Sequence, residues 1–180
     1  MSVQIALLRA VNVGGRAVPM EALRTMLTDL GCRDVLTLLQ SGNAVFNTTV
    51  KTRAATFEAK LEAEAERRFG FEIAFVLRGA DEWRDIIGRN PFAGEAKRDP
   101  ARLHLMALKA APTGAAIAAL RQAHTGPERF EVVGRDAFIV YPNGAGRSKL
   151  TNAFIERKLG VVGTARNWNT VVKLAELTAA

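Results

Sequence analysis

The sequence predicts an α+β protein of two ferredoxin-like subdomains with antiparallel sheets and helices packed on one face. A complete βαββαβ unit spans residues 1–90, and a shortened βαββα unit with C-terminal helices spans 91–180. Three observations predict it. Phe57, Leu61, Ala65 and Phe69 recur at helical spacing, with acids on the other faces. Short apolar runs bounded by glycine, proline or amide residues read as strands. The order strand, helix, strand, strand recurs after residue 100.

Residues 4–11 open with Ile5, Leu7 and Leu8 and read as a strand. The glycine-broken loop Asn12-Val13-Gly14-Gly15-Arg16 follows. Pro19 is placed to start a helix, Leu23, Met26, Leu27 and Leu30 give its spacing, and Gly31 stops it. Residues 34–39 and 44–46 form a hairpin around Ser41-Gly42-Asn43. A long helix over 53–69 ends at Gly70, and residues 71–77 are the fourth strand. A short helix over 81–88 leads to the polar stretch 95–100, the linker expected between subdomains. In the second half, 102–108, 130–133 and 137–141 read as strands and 113–123 as an alanine-rich helix. A helix follows Ser148, and a final helix over 169–178 stands where a fourth strand would be.

Hydrophobic content is 48% and charged content 24%, which excludes a disordered chain. No apolar run reaches membrane-spanning length, and the N-terminus lacks a basic segment and cleavage site, so neither a membrane partner nor a signal peptide is expected. Cys32 is the one cysteine and His104 and His124 the two histidines, so no disulfide, metal or cofactor is expected. A cytoplasmic location fits. Net charge is +7 and uneven: residues 1–90 hold 12 cations against 11 acids, residues 91–180 hold 13 against 7. A basic half favours nucleic acid, phosphorylated ligands or an acidic partner, or simply solubilises helix faces.

Donor-rich residues concentrate near the C-terminus. Gly144-Ala145-Gly146-Arg147-Ser148-Lys149-Leu150-Thr151-Asn152 leaves a strand and enters a helix. Glycines let backbone approach a ligand, Ser148 suits an N-cap, and Arg147 and Lys149 supply charge at a helix start, where unpaired amides favour anions. A plain glycine turn with a capping serine explains the same residues. Arg166-Asn167-Trp168-Asn169-Thr170 offers more hydrogen-bonding groups than one cap needs. Trp168 suits stacking on a base, Arg166 lies beside it, and Lys173 follows one turn after Asn169; an N-cap Asn and a Trp packing onto the core explain the same residues. In the first half, Arg9 sits in an apolar strand, Asn12, Gly14 and Gly15 form a loop, and Ser41 and Asn43 flank Gly42. No P-loop, nucleophile elbow, HExxH zinc helix or DxD-type metal loop is present. The first strand lacks the aromatics an RNA-recognition sheet needs.

The segments Leu7 to Gly15, Leu39 to Phe46, Gly146 to Asn152 and Arg166 to Thr170 together resemble the bacterial domain-of-unknown-function family numbered 1697, over nearly the whole chain. The resemblance implies a cytoplasmic α+β protein with ferredoxin-like subdomains and no particular activity. Ala10-Val11 stands where the family pattern leads one to expect Gly-Ile, a conservative departure.

The function expected from these observations is a binding module for a phosphate-bearing ligand, nucleic acid first. The alternatives are a small phosphoryl- or acyl-phosphate enzyme, with Gly14-Gly15-Arg16 and Asn43 cradling the phosphate, or an interaction module for an acidic partner.

Overall fold

The computed structural model describes residues 1–179. In chain order the elements are β1 (Ser2–Leu8), α1 (Met20–Asp29), β2 (Arg33–Thr37), β3 (Asn43–Thr48), α2 (Ala54–Phe69), β4 (Phe75–Gly79), α3 (Ala80–Gly88) and α4 (Ala93–Arg98). Then come β5 (Leu103–Leu108), α5 (Gly114–Ala123), β6 (Arg129–Val133), β7 (Asp136–Val140), α6 (Asn152–Leu159), β8 (Gly163–Asn167) and α7 (Trp168–Thr178), with single 3-10 turns at Pro100–Arg102 and Ala145–Arg147. The chain forms two compact units: residues 1–85 with those from Lys173 onward, and Ile86–Val172.

The first unit carries a four-stranded antiparallel sheet in the order β2-β3-β1-β4. Its helices cover one face. Leu23, Met26 and Leu27 of α1 and Phe57, Leu61 and Ala65 of α2 pack with Ala6, Leu8, Ala44, Phe46, Phe75 and Leu77. Each fully buried Leu or Phe contributes about 1.5–3 kcal/mol, so this cluster dominates the unit's stability. Ile5, Leu7, Val45 and Val76 alternate onto the other face and are buried as well.

The second unit repeats the topology in full. Its sheet runs β6-β7-β5-β8, with α5 and α6 against one face through Leu120, Ile155 and Leu159. The shortened βαββα expectation is therefore corrected: β8 is the fourth strand, paired with β5 from Leu108↔Gly163 to His104↔Asn167. Its sequence, Gly-Thr-Ala-Arg-Asn, has no large apolar side chain to announce a strand. The reason is close packing. A Cβ on Gly163 would lie 2.7 Å from Leu108 Cδ2 and 2.8 Å from the Ala107 carbonyl oxygen, so only glycine fits.

The expected linker over 95–100 is helix α4 and a 3-10 turn, fixed by ion pairs from Arg98 and Arg129 to Glu95. The β2–β3 connection is longer than a tight turn, running over 38–42, with Asn43 already in β3.

Candidate functional site

In the second unit, two loops flank a cavity. One, residues 124–128, joins α5 to β6; the other, residues 141–151, joins β7 to α6. The cavity has a volume of about 460 Å³ and is lined by Ala123 to Glu128 from the first loop, and by Asn143, Arg147, Ser148, Lys149, Leu150 and Phe154 from the second side.

The second loop is held open by its own backbone. Gly144 sits at φ 83°, in the left-handed region that glycine tolerates, and starts the 3-10 turn that presents Arg147. The buried Tyr141 hydroxyl donates to the Leu150 carbonyl at 2.9 Å and closes the loop's base. Burial, and then the charge of Glu128, push that hydroxyl's pKa upward, so it stays a donor. Ser148 does not cap α6. Thr151 does, accepting from the Phe154 amide at 3.1 Å. Ser148 instead accepts from the Leu150 amide at 2.9 Å and donates to Glu128 Oε1 at 2.5 Å, tying the two loops together. That removes the helix-cap explanation for Ser148 and gives it a place on the cavity wall.

Glu128 turns back against His124. His124 Nε2 lies 2.9 Å from the Glu128 carbonyl oxygen and 3.6 Å from its carboxylate. A carbonyl only accepts, so Nε2 donates to it. Gly126 makes room: a Cβ there would run into Glu128 Oε2. Arg147 and Lys149 are exposed on the rim, and neither meets an acid within salt-bridge distance among the described residues. The cations beside a neighbouring cavity of about 360 Å³ are different. Arg121 pairs with Glu131 and Arg129 with Glu95. On α6, Arg157 and Lys158 approach the Phe154 ring at 5.4 and 5.8 Å. Asn152 is exposed at the first turn of the same helix.

The segment 166–170 lines none of this cavity. Arg166 lies on β8, only 8% exposed, and donates to Thr164 Oγ1 at 2.7 Å and the Ala165 carbonyl at 2.8 Å. Burial lowers its pKa to about 10, which leaves it charged at neutral pH. Trp168 is 5% exposed and packs beside Phe138 at 6.3 Å, so it is a core residue and no stacking platform. Asn167 caps α7, its Oδ1 accepting from the Thr170 amide and hydroxyl. Thr170 is buried and Asn169 exposed. Lys173 pairs with Glu176 at 2.8 Å.

In the first unit, the loops 9–16 and 38–43 meet. Asn12 Nδ2 donates to the carbonyls of Val18 and Gln40, and its Oδ1 accepts the Val18 amide. The Leu8 amide donates to the Gly42 carbonyl, and a Cβ on Gly42 would lie 2.6 Å from Val11 Cγ2. Asn43 is wholly buried and donates to the Leu38 carbonyl and Ser41 Oγ. Arg16 donates to the carbonyls of Ala10 and Glu72 and lies over the Phe71 ring. Arg9 is half-buried, with its amide on the Ala74 carbonyl; Gly14 and Gly15 both take positive φ. With Asn43 enclosed and Arg16 turned onto carbonyls, these residues form a loop clamp and not the phosphate cradle expected of them.

Of the residues expected to meet a ligand, Arg147, Ser148 and Lys149 line this cavity; Glu128, His124, Asn143 and Phe154 line it too and were not among those expected. Glu128 and His124 flank Thr125-Gly126-Pro127, a turn signal that marks a loop but no chemistry. Among the described residues no helix is long and apolar enough to cross a membrane, and no three His, Cys, Asp or Glu side chains are placed to hold a metal.

Residues 1–138 match the family described as "Protein of unknown function (DUF1697)". The fold is similar to that of the conserved bacterial protein SP0830 from Streptococcus pneumoniae, with a TM-score of 0.76 and 22% identity over 100% of this chain and 99% of that one. No curated protein matches the chain.

Proposed function

The chain belongs to the DUF1697 family, which brings no activity with it, and from the geometry we propose that it is a binding module for a phosphate-bearing ligand, held in the basic cavity of its second unit. The observation that carries this is the pair Arg147 and Lys149 on a cavity of about 460 Å³ with no acid bridged to either cation. Arg offers a planar fork and Lys a compact charge, the usual complements of phosphate oxygens. Small-molecule sites span roughly 300–1,000 Å³, so the cavity suits one phosphorylated molecule.

Calorimetric titration with inorganic phosphate, pyrophosphate and nucleotides in low salt tests the proposal. Binding that disappears in the Arg147→Ala, Lys149→Ala double variant supports it. Binding unchanged in that variant removes these residues from it, and no binding of any of the three ends it.

Nucleic acid is the second reading, favoured by Arg157 and Lys158, which extend the cations beyond the cavity along α6. Affinity for short single strands would then fall by about 0.7 log units per phosphate contact for each tenfold rise in salt. A flat salt dependence would leave only the small ligand. A cytoplasmic location belongs to the same proposal. Cys32 is buried, and burial pushes its thiol up to about 11, which keeps it from forming thiolate.

A further inference from the structure

The cavity is not uniformly basic, and its one acid narrows the ligand class. Glu128 lines the same cavity as Arg147 and Lys149, anchored there by Ser148 Oγ at 2.5 Å and flanked by His124 at 3.6 Å. A carboxylate is useless to a bare phosphate and repels it. It accepts hydroxyl donors well. Donors for an anion and acceptors for hydroxyls thus share one wall. Resting on the phosphate-site reading above, we propose that the ligand is a sugar phosphate: its phosphate meets Arg147 and Lys149, and Glu128 selects it by accepting from hydroxyls of the sugar.

The probes are ribose 5-phosphate, ribose and inorganic phosphate, titrated calorimetrically in low salt. Wild-type protein is expected to bind ribose 5-phosphate at least about tenfold tighter than phosphate, the worth of one hydrogen bond to a charged group. In Glu128→Ala that preference should collapse while phosphate itself binds tighter, because a repelling charge is gone. A merely structural role would weaken both ligands together. Glu128→Gln keeps the side chain's shape and one acceptor oxygen, and should also tighten phosphate.

Equal wild-type affinity for ribose 5-phosphate and phosphate overturns the inference and leaves the phosphate site standing. A preference that survives Glu128→Ala also overturns it. If wild-type protein binds neither phosphate compound, both the inference and the phosphate site fall. The wild-type comparison decides even where a variant fails to fold.

Discussion

Glu58 on α2 accepts the backbone amide of Leu77 on β4 at 2.8 Å, and both residues are buried. One turn on, Glu62 accepts the Phe75 amide at 2.9 Å. β4 is an edge strand of the first sheet, with β1 on its only paired side. Unpaired edge amides invite pairing with other chains. Here two helix carboxylates take those amides, so α2 covers the edge as well as the face.

Replacing Glu58 with alanine leaves the Leu77 amide buried without that acceptor. The expected cost is about 1–3 kcal/mol in urea denaturation, with faster aggregation by light scattering. Glu58→Gln keeps an acceptor oxygen and should lose less. A Glu58→Ala variant as stable as the parent would show the carboxylate bond to be incidental.

Ala10 has φ 53°, in the left-handed region. The departure from Gly at this position is therefore conservative in side chain but not in backbone. A Cβ in that conformation costs roughly 1–2 kcal/mol. Ala10→Gly should recover part of it, offset by the extra freedom glycine has when unfolded, for a net gain of about 0.5–1 kcal/mol. Thermal melting reads this directly, and a lower midpoint would mean the loop holds Ala10 without strain.

Much of this fold was legible because its periodicities are local. Phe57, Leu61 and Ala65 mark the buried face of α2 whatever surrounds it. The hairpin β2–β3 announces itself through Ser41-Gly42-Asn43. β8 was not legible, since it has no large apolar side chain and Gly163 is small for a non-local reason, the close approach of β5. With β8 hidden, the donors of Arg166 read as ligand chemistry, and the ring of Trp168 suited a ligand as well as the core it packs into. The cavity was half legible for a similar reason. Arg147 to Lys149 stand out in sequence, but the bond from Ser148 to Glu128 spans twenty residues and joins two loops.

Acid stability depends on Glu64. Hydrogen bonds from Arg67, then from Arg68, hold its carboxyl at about 2 against an ordinary 4.5. Arg68 also pairs with Asp29 of α1 at 2.8 Å, so the cluster links the two helices. Between those pH values the unfolded chain takes up a proton that the folded chain refuses. The contribution is complete above pH 4.5 and is lost as pH falls through about 2. Glu64→Gln should therefore be less stable than the parent near neutrality, with the gap closing toward pH 2. High salt should shrink the gap, because these groups lie near solvent. A difference that stays constant from neutrality to acid would assign the effect to packing.

Gly126 links the fold to the cavity. A methyl group there meets Glu128 Oε2 and lies 3.1 Å from His124 Cε1. The backbone of Gly126 is not left-handed, so alanine costs nothing through φ. Its effect falls on the end of the Glu128 side chain, which has to swing away and release Ser148. Gly126→Ala should leave thermal stability within about 1 kcal/mol of the parent, as expected where only a flexible side chain moves. Binding of sugar phosphates should weaken severalfold, by about the loss of one misplaced hydrogen bond. A variant with unchanged affinity for ribose 5-phosphate and unchanged amide shifts at Ser148 and Leu150 would show that the cavity does not need Glu128 where it stands.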